Sequence, residues 1–76
     1  MTPQQCRAAR GWLELSQGEL AEAAGVSLST VRDFEKGRRT PIGSTLNAMR
    51  TTLEAQGIAF TDNGITAGPA KQQDRR

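Results

Sequence analysis

Apolar residues recur at helical spacing through the first three quarters of this chain and at alternate positions just beyond. Cys6, Ala9 and Leu13 stand at i, i+3 and i+7, the stripe of an amphipathic helix. Thr2 can cap that helix, Pro3 suits its first position, and Gln5 stands where a capping box needs its partner. Trp12 falls off the stripe and is expected to be only partly covered. A second start is written in Ser16-Gln17-Gly18-Glu19, where Ser16 and Glu19 are in capping-box register and Leu20 and Ala24 form an i, i+4 apolar pair. This helix stops at Ala24, and Gly25 follows where a left-handed backbone satisfies the last carbonyls. Ser27 caps a third helix two residues later. Val31 and Phe34 face inward from it, whereas Leu28, Ser29, Arg32, Asp33 and Lys36 share the opposite face, and Gly37 ends it.

Thr40-Pro41 marks a fourth start. Leu46, Met49 and Leu53 repeat the i, i+3, i+7 stripe, with Ile42 and Ala55 as further contacts and Gly57 as the stop. The period then changes. Ile58 and Phe60 alternate with Ala59 and Thr61, and Asp62-Asn63-Gly64 is a tight-turn signal ahead of Ile65, so a short strand or hairpin is expected. From about Gly68 the Gly/Pro/Gln/charge-rich composition is that of a disordered tail. The expected organisation is a helical unit over 1–57, a β-element over 58–67 and a tail over 68–76.

The abrupt break at Gly25 explains itself if the two short helices cross steeply. Helices joined by about three residues containing a glycine form a helix-turn-helix, whose tight turn needs a positive φ without a side-chain penalty. Small Ala21 lets the backbones approach, and Val26 is expected to plug the corner. The third helix then leaves the bundle at an angle that frees its polar face for a DNA major groove.

Composition narrows the chemistry. The chain has 76 residues, a single domain close to the lower limit for one core. Cys6 is the only cysteine and histidine is absent, which excludes an internal disulfide, a Cys/His zinc site and a histidine-based catalytic centre. There is no phosphate loop and no paired carboxylates with a pocket, so no enzyme, catalytic residue, cofactor, metal or small-molecule ligand is expected. No signal peptide or membrane span is visible, and a lone cysteine on an apolar stripe suits the core of a cytoplasmic protein. Net charge is only +2, but it is unevenly placed: Arg32, Lys36, Arg38 and Arg39 stand against Asp33 and Glu35. Lys71, Arg75 and Arg76 add a second cluster against Asp74. Such a stripe fits a polyanionic partner or an ordinary solvated face.

Ser16-Gln17, Leu20-Ala21, Gly25-Val26-Ser27, Val31, Phe34-Glu35 and Gly37 resemble, in register, the phage repressor and Cro family, the XRE type of helix-turn-helix. The resemblance spans roughly Pro3 to Gly57. It implies a mainly α, four-to-five-helix repressor-like domain, here with a short C-terminal β-strand or hairpin in place of the usual closing helix. It also implies that Gln17 reaches a phosphate or buttresses the recognition helix, and that Arg10 and Glu35 form a partly buried structural ion pair between the first and third helices.

The remaining site residues follow from docking the third helix in a groove. Ser27 caps the helix and its neighbouring N–H groups can hold a phosphate. Leu28 can rest on a thymine methyl or pack on helix two, and Ser29 can donate to or accept from several bases. Arg32 is the candidate for guanine, with a phosphate contact as its alternative. Asp33 either accepts from a cytosine amino group or, as favoured here, holds Arg32 or Arg38 in place. Lys36, Arg38 and Arg39 are phosphate contacts or a solvated loop.

The expected function is a transcriptional regulator binding double-stranded DNA as a homodimer, a repressor acting by occupancy of a palindromic operator with half-sites about one helical turn apart. The competing expectation is a protein-interaction module, an antitoxin or adaptor on the same fold. Ile58 to Thr61 is a candidate dimerisation strand, with a hairpin that merely caps its own core as the alternative. Deletion from Ile58 onward is then expected to leave a folded helical unit that dimerises and binds DNA poorly.

Overall fold

The computed structural model of the chain describes residues 1–68. Four helices lead into an antiparallel hairpin: α1 Pro3–Leu13, α2 Gln17–Ala24, α3 Leu28–Glu35, α4 Gly43–Ala55, β1 Ile58–Phe60 and β2 Ile65–Ala67. The expected disordered tail, Gly68 apart, lies outside the described residues.

Local chemistry places three of the four helix starts. Thr2 Oγ1 accepts from the Gln5 N–H while Gln5 Oε1 accepts from the Thr2 N–H, and Ser16 and Glu19 repeat this reciprocal cap on α2. Ser27 Oγ accepts from the Thr30 N–H at the start of α3. Helix α4 departs from expectation. Ile42 occupies its N-cap position with no side-chain cap, so Thr40-Pro41 stands outside the helix as part of the loop.

Two helices end in a left-handed residue. Gly25 has φ 75°, its N–H reaching the Ala21 and Glu22 carbonyls, and the Val26 N–H also bonds the Ala21 carbonyl at 3.0 Å. Gly25, Val26 and Ser27 thus make the whole turn between α2 and α3. Helix α1 uses Glu14 instead, at φ 60°, a conformation that disfavours any side chain with a Cβ. Glu14→Gly is expected to stabilise the protein by about 1 kcal/mol, read as a higher urea midpoint at unchanged m-value. A lower midpoint would mean that the glutamate is not strained there.

Every helix contributes to one core: Cys6 and Ala9 from α1, Leu20 and Ala21 from α2, Val31 and Phe34 from α3, Met49 and Leu53 from α4, with Ile58 from β1. Leu13, Val26 and Leu46 are half-buried against it. Two expected contacts are absent from it. Ile42 is 73% exposed because it stands outside α4 as its extended N-cap, and Ala55 is exposed because it falls on the face of α4 opposite Leu46. Trp12 is 61% exposed.

The hairpin is bound into this body rather than trailing from it. Register pairs Ile58 with Ala67, Ala59 with Thr66 and Phe60 with Ile65, which turns Ala59 and Thr66 outward. Buried Gln5 extends its amide from α1 to the hairpin turn, Nε2 donating to the Thr61 carbonyl at 2.7 Å and to the Gly64 carbonyl at 2.9 Å. The guanidinium of Arg50 on α4 lies 5.4 Å from the centre of the Phe60 ring.

Candidate nucleic-acid interface

Helix α3 is amphipathic over only two turns, so what its inner face grips decides how its outer face is presented. Val31 and Phe34 are buried against α1 and α2. Glu35, at its last helical position, is buried too, and its carboxylate gathers donors from three directions. Arg10 Nε and Nη2 each bond it at 2.7 Å, Gln17 Nε2 at 3.0 Å, and the Cys6 thiol donates at 3.2 Å. Arg7 Nη1 donates to the Glu35 main-chain carbonyl. Arg10 also bonds the Leu15 carbonyl at 2.9 Å, tying the α1–α2 connection to the same cluster. Among the described residues no buried side-chain nitrogen or oxygen lacks a partner.

The electrostatics of this cluster are those of a satisfied buried ion pair. Burial pushes the Glu35 carboxyl upward, but hydrogen bonds from Arg10, Gln17 and Cys6, with the Arg10 charge, outweigh it and hold Glu35 below its ordinary range. Arg10 is raised in turn by its bond to Glu35. Burial, then the neighbouring carboxylate, pushes the Cys6 thiol up to about 12, so it stays protonated and donates.

On the outer face Ser27, Leu28, Ser29, Arg32 and Lys36 are all exposed, and Arg38 and Arg39 extend the exposed row into the following loop. The Arg32 side chain makes no hydrogen bond or ion pair among the described residues. Asp33 is half-buried and lies 3.9 Å from Arg38 Nη1, a loose pairing that leaves Arg32 outside its reach. Ser27 Oγ shares its proton network with Thr30 Oγ1 at 2.7 Å and Ser29 Oγ at 3.2 Å. Gln17 is turned toward Glu35, leaving its amide oxygen uncommitted.

The face has a neighbour that sequence reasoning missed. An open groove of about 290 Å³ runs between α3 and the start of α4, with Ser29, Thr30, Asp33 and Arg39 on one side and Thr40, Ile42 and Thr45 among its other lining residues. Thr30 escaped notice because it sits between the two faces of α3. Ile42 is apolar, which by itself points to the core and not to a groove. Arg7 gave no signal either, since its acceptor is a backbone carbonyl 28 residues away in sequence.

Among the described residues no His, Cys, Asp and Glu cluster could hold a metal ion, and no helix is long and apolar enough to cross a membrane. The arrangement offers a small, rigidly held helix with a basic, hydrogen-bonding outer face. A family model described as helix-turn-helix matches residues 7–54, well over half of the chain. No curated protein matches it significantly.

Proposed function

The chain belongs to the XRE-type helix-turn-helix family, whose members are DNA-binding regulators, and from that premise we propose that it is a cytoplasmic, sequence-specific repressor. It binds a palindromic operator as a homodimer and represses by occupying it. The observation that carries this reading is the exposed face of α3, where an uncommitted Arg32 stands among hydroxyls and flanking cations on a helix fixed from behind at Glu35. Arg32 reads guanine, Leu28 and Ser29 meet base edges, and Lys36, Arg38 and Arg39 take phosphates. Ser27 keeps the N-terminus of α3 open to a phosphate. Asp33 restrains Arg38, and Gln17 buttresses α3 through Glu35 while facing the backbone. Two copies double the few base contacts one short helix can make, with half-sites about 34 Å apart.

Selection from random-sequence duplexes with the purified protein tests this directly. A palindrome with one-turn spacing is expected, and Arg32→Ala is expected to weaken its binding by about 1–3 kcal/mol while relaxing preference at one base pair per half-site. Lys36→Ala should instead weaken all sequences alike and reduce the salt slope by about 1 per monomer. Binding without any enriched motif would remove sequence specificity from the reading. No binding to duplex would favour the protein-interaction alternative.

A further inference from the structure

The chain has two asparagines, Asn47 and Asn63, and their settings are opposite. Asn47 lies inside α4 and precedes Ala48, whose N–H is held in the helical ladder. Asn63 is exposed in the hairpin turn and precedes Gly64. Its side-chain amide has no hydrogen-bond partner among the described residues, and neither has the Gly64 N–H. Gly64 serves the turn through its carbonyl, which accepts from the Thr61 N–H at 2.9 Å and from Gln5 Nε2 at 2.9 Å. Shape does not demand a glycine there. Its φ lies outside the left-handed range, and a Cβ would meet only Thr61 Oγ1 at 3.8 Å, an ordinary contact. Gln17 and Gln56 also precede glycines, but their longer side chains would have to close a larger ring, and the Gly57 N–H is already given to the Glu54 carbonyl at 3.0 Å.

The geometry points to Asn63 as a site of spontaneous modification, where attack by the chain's own backbone yields isoaspartate and loosens the hairpin from α1. The Gly64 nitrogen adds to Asn63 Cγ and closes a cyclic imide. The bond from Cγ to the side-chain nitrogen breaks, and that nitrogen leaves as ammonia, carrying the proton that Gly64 gave up. The nucleophile is tethered beside its target, and no Cβ on Gly64 obstructs the approach. Solvent water then opens the imide. Addition at Cγ gives aspartate, whereas addition at the main-chain carbonyl leaves the peptide running through Cγ, which is isoaspartate. One water is consumed, one ammonia is released, and nothing is oxidised. Isoaspartate inserts one methylene into the main chain between residues 63 and 64 and sets a new negative charge beside Asp62. The extra atom falls inside the loop that the Thr61–Gly64 bond closes. Gln5 Nε2 needs both carbonyls of that loop at once, Thr61 at 2.7 Å and Gly64 at 2.9 Å, and a lengthened turn cannot keep all three bonds. Half-buried Phe60 and Ile65 flank this turn, so the modification reaches the core. The turn is thus a chemical timer that lowers stability as the molecule ages, whatever α3 binds.

Ageing the purified full chain in mildly alkaline buffer tests this, with peptide mapping and enzymatic methylation of isoaspartate as readouts. Conversion should collect at residue 63, release ammonia and spare Asn47. Gly64→Ala, which the turn has room for, should convert roughly tenfold more slowly, a barrier about 1.4 kcal/mol higher. The isoaspartate form, separated by ion exchange, should show a lower urea midpoint than Asn63→Asp, which carries the same charge on a main chain of normal length. Equal conversion at Asn47, an equal rate in Gly64→Ala, or conversion confined to the denatured chain would each overturn the site. A midpoint no lower than that of Asn63→Asp would overturn the loosening of the hairpin.

Discussion

Glu35→Ala is expected to lower unfolding free energy by about 3–5 kcal/mol, because it leaves the Arg10 guanidinium largely buried without its counter-charge. The whole stability of a domain this size is about 4–11 kcal/mol, so the variant should lose a large share of it and show a strongly reduced urea midpoint. Arg10→Met combined with Glu35→Leu should recover much of the loss, since apolar side chains of similar volume need no partner. A shift below about 1 kcal/mol for Glu35→Ala would show that the cluster is not a structural clamp. The consequence for function is direct: loss of DNA binding in this variant would report lost stability around α3 and not a lost contact to DNA. Acid should reproduce part of the effect. Glu35 is held below its ordinary value of 4.5, so the stability it confers is complete above that pH and disappears as pH falls through its lowered folded value. Thermal midpoints should therefore fall more steeply below pH 4.5 in the parent chain than in Glu35→Gln, and parallel curves would refute the linkage.

What the sequence pattern reveals of this fold divides along contact distance. Caps at Thr2, Ser16 and Ser27 and the turn glycine at Gly25 act within four residues, and local spacing carries them in full. The stripes through Cys6, Ala9, Met49 and Leu53 were likewise visible, because helical periodicity reports a buried face without naming its neighbour. Gln5 shows the limit. Its place in the capping box explained it so well that nothing pointed to its second task, reaching carbonyls 56 and 59 residues further on. Glu14 hid for the opposite reason: the left-handed position favours glycine, and a glutamate there breaks the rule that would reveal it. Ile42 is apolar yet exposed because α4 begins one residue after it, which apolarity alone does not reveal. In the candidate interface, face membership on α3 followed from spacing, whereas Gln17's orientation and the groove beside Thr45 depend on how three helices meet.

Ile58→Ala is expected to cost about 2–5 kcal/mol, placing the hairpin among the elements that make the fold. Ile58 is only 3% exposed and packs in the same cluster as Met49 and Leu53, so removing its three outer carbons opens a void that neighbouring helices cannot easily fill. Deletion from Ile58 onward goes further. It also removes half-buried Phe60 and Ile65 and both carbonyls to which Gln5 bonds across the hairpin turn. The truncated chain is thus expected to lose its cooperative unfolding transition, in contrast to the folded but poorly dimerising helical unit expected from the sequence pattern. The physical reason is that one small core cannot spare a layer. A truncated chain retaining a sharp urea transition within about 1 kcal/mol of the parent would sink this account. It follows that shortening the protein is a poor test of the proposed homodimer, since folding and assembly would fail together.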